Sequence, residues 1–300
     1  MPRLKRCAAL HDLSSFGRAS LTIVIPTLSA MGIQVCPVPT AVLSTHSGGF
    51  SDYRFVDLTD SMKGTFDHWR ELGLRFECIY SGFLGSPIQA EQIERMIEDF
   101  RTPQTLVVID PVMGDNGGFY SSISPQMADA MRRLMRRADV LTPNLTEVFL
   151  LLDEPYRADL AREELDEYIL RLADMGPKKI IVTSFPAQSG RALECRGYES
   201  GRFFSTTRPR YDAHYPGTGD LFTSVLTGAL LNERSIEEAT EQAADCVLSL
   251  LQKSVRSGEP NREGVFLEAE LGALVPQNGP CLTDGAAEGA IGEAEAQLRG

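Results

Sequence analysis

The chain has 300 residues, of which 43% are apolar, and a net charge of −12. That length holds a sizeable core, either in one large α/β domain or in two smaller ones. The acidic balance argues against a nucleic-acid-binding surface, because no basic stripe would neutralise a phosphate backbone; nucleotides stay open, since backbone N–H groups and Mg²⁺ can hold their phosphates.

In chain order, Met1-Pro2-Arg3-Leu4-Lys5-Arg6 leads into an apolar run too short for the core of a signal peptide. No apolar run approaches the roughly 20 residues that span a bilayer. Six cysteines, at 7, 36, 78, 195, 246 and 281, form no C-x-x-C pair, and several sit inside apolar runs. Buried free thiols in a reducing compartment explain that pattern, so a soluble, cytoplasmic protein is expected.

Short apolar runs predict strands over Arg6–Leu10, Val35–Leu43, Cys78–Ser81, Thr105–Ile109, Val140–Leu141 and Lys179–Thr183. Between them, Met62, Phe66, Trp69 and Leu72 share one helical face, as do Ile93, Met96, Ile97 and Phe100. Strands alternating with amphipathic helices predict a mostly parallel sheet with helices on both faces. Arg191–Tyr198 and Arg202–Thr206, joined through Glu199-Ser200-Gly201, read as an antiparallel hairpin near the sheet edge. After Leu274 the chain turns rich in Gly, Ala and Glu, which predicts a flexible tail over 275–300.

Polar, glycine-rich segments follow the strands at His11–Ser15, Ser44–Gly49, Ser81–Ser86, Pro111–Gly118, Pro143–Glu147 and Thr183–Ser184. In open parallel sheets ligands sit outside the carboxyl ends of the strands, so these loops predict one composite site. Asp110 and Asp115 flank Pro-Val-Met-Gly after a strand, and Asn144 and Glu147 follow Thr142-Pro143. Such oxygen donors suit a hard cation with bound phosphates. The structural alternative makes Asp110 a turn residue and Asn144–Glu147 a helix-capping segment. Asn116-Gly117-Gly118 reads either as a flap over phosphates or as a surface turn.

Gly217-Thr218-Gly219-Asp220 precedes an apolar helical run, Leu221–Leu231, whose stripe is Leu221, Phe222, Val225, Leu226, Ala229 and Leu230. Free N–H groups at a helix N-terminus, with its dipole, form an anion cradle. A carboxylate beside that cradle suits a base that activates a hydroxyl for phosphoryl transfer. The structural alternative is an ordinary turn with Asp as an N-cap.

These motifs, in this order, resemble the ribokinase-like superfamily and, within it, the pyridoxal kinases, over about residues 5–255. The resemblance implies a three-layer α/β/α sandwich with a mostly parallel central sheet and an antiparallel edge hairpin, forming one kinase domain over 1–274. It implies ATP- and Mg²⁺-dependent phosphorylation of the hydroxymethyl group of a B6 vitamer, support by a monovalent cation such as K⁺, and a homodimer. Residue by residue, it makes Asp220 the base and Gly217, Thr218 and Gly219 the anion hole. Asp110 and Glu147 become metal residues, and Asp115, Asn144, Thr183, Ser184, Gly217 and Gly219 contact ATP. Asp12, Ser14, Thr45, His46, Ser47 and Phe83 become substrate contacts.

The first loop, His11 to Arg18, departs from the usual family version, and Phe83 stands where many relatives carry Tyr. The rival within the fold is hydroxymethylpyrimidine kinase, whose relatives typically carry Cys where this chain has Asp220. A non-catalytic vitamer-binding protein on the same scaffold is the alternative of a different class.

Overall fold

The computed structural model describes residues 4–187, 190–211 and 213–276. The elements are β1 (Arg6–Ser14), α1 (Leu21–Ala30), β2 (Gln34–Leu43), β3 (Phe55–Asp57), α2 (Thr59–Glu71), β4 (Cys78–Ser81), α3 (Pro87–Phe100) and β5 (Leu106–Ile109). A short hairpin, β6 (Gly114–Asp115) and β7 (Gly118–Phe119), comes next, before α4 (Gln126–Leu134), β8 (Val140–Leu141), α5 (Leu145–Leu152) and α6 (Arg162–Asp174). The chain continues through β9 (Lys179–Pro186), β10 (Ala192–Glu199), β11 (Arg202–Pro209), α7 (Thr218–Leu231), α8 (Ile236–Ser257) and α9 (Leu271–Leu274).

Nine strands form one sheet in the order β11-β10-β9-β8-β5-β4-β1-β2-β3. The central strands pair in parallel, while β3 and the β9-β10-β11 ribbon are antiparallel. Side chains alternate across the sheet, so one strand feeds two cores. Ala8, Leu10, Ile79, Val107, Ile109 and Val182 face α2–α6. Cys7, Ala9, Tyr80, Val108 and Ile181 face α1, α7 and α8. Burial on both faces makes these strands continuous apolar runs, the pattern the sequence shows. The architecture is therefore the expected three-layer α/β/α sandwich with an edge hairpin.

Cys7 stands opposite Cys78 across β1 and β4, and both thiols are free. Among the described residues no helix is long and apolar enough to cross a membrane. The tail expected over 275–300 lies outside the described residues from 277 onward, as does Cys281.

Several expectations need correction. β1 runs on to Ser14, so His11–Ser14 is strand rather than loop; β2 beside it supplies the partners, through a register slip between His11 and Leu13. β9 likewise continues past Thr183 to Pro186 because β10 pairs with it there, with Ser184 at φ 57° beside a register shift. Leu72 lies outside α2 and is 58% exposed, since the helix stops at Glu71 and Gly73 (φ 61°) turns the chain away. Leu230 is only partly buried against its core. β3 escaped sequence reading because all three of its residues are exposed and carry no apolar alternation.

Candidate active site

A cavity of about 750 Å³ opens at the carboxyl ends of the parallel strands. Asp12, His46, Ser47, Phe83, Asp110, Asp115, Asn144, Glu147, Thr183 and Ser184 line it, together with the whole of Gly217–Asp220. Ser14 and Thr45 stand outside the lining. Ser14 donates its hydroxyl to Asp12 at 3.2 Å, and the Thr45 hydroxyl is buried without a partner.

α7 begins at Thr218 behind Gly217, which is the N-cap in left-handed conformation (φ 83°). Asp220 is thus the third helical residue and not the N-cap. No side chain caps this helix, so its first-turn N–H groups face the cavity with the positive end of the dipole. The apolar face below, with Leu221, Val225 and Leu226 fully buried, fixes that N-terminus against the sheet.

The Asp220 side chain is 14% exposed and accepts the Ser20 N–H at 2.8 Å. Ser20 is a site residue that the sequence did not reveal. Its φ of 52° is a strained backbone for a non-glycine residue, held so that its amide meets the carboxylate. His11 Nδ1 lies 4.0 Å from Asp220, but burial pushes this imidazole down to about 3, so it stays neutral. Gly82 leaves room for that ring, because a Cβ there would fall 2.2 Å from His11 Nδ1. Burial raises the Asp220 carboxyl to about 7, against the opposing Ser20 N–H, and the charge of Asp12 adds to the rise.

Asp110 sits at the end of β5, almost fully buried, and accepts the Thr223 hydroxyl at 3.2 Å. The Thr223 hydroxyl, one turn after Asp220, also lies 3.1 Å from that of Thr142. Burial, then repulsion from Asp220, lifts Asp110 to about 8. Glu147 completes a capping box: Asn144 Oδ1 accepts the Glu147 N–H at 3.0 Å, and Glu147 Oε2 accepts the Asn144 N–H at 2.9 Å. Glu147 Oε1 also accepts the Met113 N–H at 3.1 Å, so the capping alternative is realised in the geometry. Burial, with the Asp110 charge, raises Glu147 well above the usual carboxylate range.

Among the described residues no group of three or more His, Cys, Asp or Glu could hold a metal by itself. A Mg²⁺ ion typically needs only one or two carboxylates, with waters and phosphates completing six oxygens. Asp110, a hard donor whose proton affinity the Asp220 charge raises, matches that chemistry.

Asn116 (φ 52°) and Gly117 (φ 84°) turn the β6–β7 hairpin in the manner of a type I′ turn. Asp115 accepts the Asn116 N–H at 2.8 Å, the Gly117 N–H reaches Thr146 at 3.0 Å, and Asn144 Nδ2 donates to Gly114 O at 2.8 Å. The segment read as a flap or surface turn is a hairpin tied to the start of α5.

His46 accepts the Gly48 N–H on Nδ1 at 3.1 Å, which assigns the ring proton to Nε2, 2.7 Å from Arg262 O. Burial lowers this histidine too, so it is neutral. Arg262 belongs to a C-terminal strap that the sequence did not link to the site. The strap also binds Arg18, through Glu263 O to its N–H at 2.9 Å and Glu268 to its guanidinium at 2.9 Å. At the far end, Leu193, Cys195 and Thr206 of the ribbon face Ala244, Val247, Leu248 and Leu251 of α8. In the sequence these α8 residues look like any core stripe, so nothing singled them out.

A family model described as phosphomethylpyrimidine kinase matches residues 16–264. A protein from Bacteroides thetaiotaomicron, described as a phosphomethylpyrimidine kinase and crystallised with pyridoxal, is 46% identical; the alignment covers 91% of this chain and 96% of that one, with a TM-score of 0.84. The pyridoxal kinase of Lactobacillus plantarum is 29% identical over 91% of this chain and 97% of its own, also with a TM-score of 0.84. The pyridoxine/pyridoxal/pyridoxamine kinase of Bordetella avium is 30% identical over 83% of this chain and 86% of its own. The chain belongs to the phosphomethylpyrimidine kinase family, and its fold is the ribokinase-like one of the pyridoxal kinases it resembles.

Proposed function

We propose that the protein transfers the γ-phosphoryl group of ATP to the hydroxymethyl group of a B6 vitamer. The observation that carries this reading is a mostly buried carboxyl, Asp220, beside an uncapped helix N-terminus in a cavity large enough for both substrates. The substrate hydroxyl gives its proton to Asp220 as its oxygen bonds to phosphorus; the bond to the β-phosphate oxygen breaks and ADP leaves. The amides of Gly217, Thr218 and Gly219 stabilise the charge on the migrating phosphoryl group, where positioning and electrostatics supply most of the catalysis. The ring lies between Asp12, His46, Ser47 and Phe83, with Ser14 and Thr45 supporting that wall from behind. The adenine lies between the ribbon and α8, and Asp115, Asn144, Thr183 and Ser184 contact the nucleotide.

Asp110, with Glu147 behind it, would hold Mg²⁺, which supplies neutralisation of phosphate charge. A K⁺ requirement and a homodimer rest on the family resemblance; a cytoplasmic setting is supported by the unbonded Cys7 and Cys78 thiols. The family's description points to a pyrimidine substrate, but two of the three relatives named above are described as kinases of pyridoxal, and the third, described as a pyrimidine kinase, was crystallised with pyridoxal. Asp220, where pyrimidine kinases typically carry Cys, favours the same choice. An ATP-consumption assay with the three B6 vitamers and hydroxymethylpyrimidine tests this directly. Turnover of the vitamers is expected, and turnover confined to the pyrimidine rejects the reading.

The base must be ionised to act. With Asp220 raised from 3.8 to about 7, kcat/KM is expected to climb as pH rises through about 7 and then to level. Stability moves the other way. Between about 4 and about 7 the folded chain keeps a proton that the unfolded chain releases. This stabilisation is complete below 3.8 and lost as pH rises through about 7, and Asp110 acts in the same sense. Thermal melts and rate profiles in the same buffers check both signs; activity flat from pH 5 to 8 would reject the raised base.

A further inference from the structure

The strap that follows α8, residues 259–270, lines none of the cavity, yet it holds two of the loops that do. Its own seat is the core. Val265 and Leu267 are buried in the layer of α1, α7 and α8, and the Phe266 N–H bonds to the Ser254 hydroxyl at 2.8 Å. Before them, the 3₁₀ turn Asn261–Glu263 ends in carbonyls that such a turn leaves without internal partners. Two successive ones go to the site. Arg262 O accepts from His46 Nε2 at 2.7 Å, and Glu263 O accepts the Arg18 N–H at 2.9 Å.

Arg18 is held at its amide, its carbonyl and its side chain. The guanidinium meets Glu268 at 2.9 Å and lies over the Phe266 ring, 5.7 Å from its centroid. That ion pair is half exposed and contributes little alone. The carbonyl is the tighter contact, because it lies between two glycines. A Cβ on Gly264 of the strap would fall 2.5 Å from Arg18 O, and one on Gly217 of the anion cradle 2.4 Å from it. With Gly217 closing the side toward α7, a displaced Arg18 carries the following residues with it. Two residues on, Ser20 holds its left-handed backbone and gives its N–H to Asp220 at 2.8 Å. A strained conformation of this kind persists only where its surroundings over-determine it, and the strap supplies that restraint from outside the cavity.

We propose that the strap is a positioning element for the base: by seating Arg18 it aims the Ser20 N–H at Asp220 and so orients the carboxylate toward the substrate hydroxyl. Arg18, Glu263 and Gly264 are its positioning residues, and none of them touches a substrate. The inference rests on the kinase reading above, and it holds for whichever hydroxymethyl substrate Asp220 serves. A misplacement of about 1 Å at a reacting group costs on the order of 10²-fold in rate, so a contact outside the cavity can govern turnover.

The test compares two alanines in the same part of the chain. Gly264→Ala presses on Arg18, whereas Gly258→Ala, at the C-cap of α8 (φ 73°), brings similar backbone strain with no atom within 4 Å of the new methyl. Gly264→Ala is expected to lower kcat by about tenfold to 10²-fold with KM for ATP unchanged, and Gly258→Ala to keep kcat. The decisive measurement repeats Gly264→Ala in the Asp220→Asn background. If the strap acts through the base, the loss disappears there, because residues that work as one unit are not additive. Arg18→Ala keeps the backbone bond to Glu263 O and asks the same question of a chain whose fold is less disturbed. Its kcat should fall by about threefold, the scale of a half-exposed ion pair, and again only when Asp220 is present. Equal losses with and without Asp220, or equal losses from Gly258→Ala and Gly264→Ala, overturn the proposal, as does an unchanged kcat in Arg18→Ala. An unaltered protein that phosphorylates neither a B6 vitamer nor hydroxymethylpyrimidine removes the kinase reading itself, and this inference with it.

Discussion

An Asp220→Asn variant is expected to lose kcat by roughly 10²–10⁴-fold, the usual contribution of a positioned base, while keeping its affinity for ATP. The substitution is nearly isosteric, and the amide oxygen can still accept the Ser20 N–H that holds the carboxylate at 2.8 Å. Nothing else in the cradle moves, because α7 is fixed by its apolar face and by Gly217 behind it. Only the capacity to take a proton goes.

Stability should rise in the same variant. Asp220 is raised by burial and by Asp12, and it in turn raises Asp110; above about pH 7 the folded chain therefore holds acids that repel one another. Replacing one of them with a neutral amide relieves that repulsion, so the melting temperature should increase most at pH 8 and least at pH 5. The opposed movement of rate and stability is the signature of a strained catalytic acid. Near-wild-type turnover by this variant would reject Asp220 as the base, and a lowered melting temperature at pH 8 would reject the repulsion argument.

The acids of this site were legible in the sequence because each lies just past a buried strand or at the start of a helix. Asp110 follows Leu106–Ile109, which is apolar on both faces, and Asp220 follows Gly-x-Gly before a long apolar stripe. Topology then carries both to one edge, as any parallel sheet must. The residues that tune these acids left no such mark. Ser20 looks like a loop serine, and only its left-handed backbone directs its amide at Asp220. Thr223 looks like part of a helical stripe, and Arg262 reaches His46 through its carbonyl, which any residue possesses. Backbone groups and backbone strain carry no side-chain signature. The same reason hid β3, an edge strand with no buried face, and the end of β9, where pairing with β10 overrides the polar look of Thr183-Ser184.

Gly217→Ala is expected to damage both the anion cradle and the base, with kcat/KM falling by about 10²–10³-fold. At φ +83° an alanine is strained whatever the space, and here there is none: its Cβ would lie 2.3 Å from Ile23 Cδ1 and 2.4 Å from Arg18 O. Ile23 could shift its terminal methyl, but a backbone carbonyl cannot yield without moving the segment that ends at Ser20. That segment delivers the N–H to Asp220, so the clash propagates from the amides proposed to bind phosphate to the carboxylate proposed to take the proton. Folding stability should fall by about 1–3 kcal/mol. Gly219→Ala separates this steric effect from a chemical one. No atom lies within 4 Å of a Cβ at Gly219, and its φ is not positive, so alanine there should fold as well as glycine or slightly better. Its methyl group would occupy open space beside the cradle, in the cavity that Gly219 lines. Activity should then fall about tenfold or more with no loss in melting temperature, because the methyl group takes the place of a phosphoryl oxygen. Full activity in Gly219→Ala would mean that the phosphoryl group does not approach this turn, and the cradle would have to be sought elsewhere along the cavity.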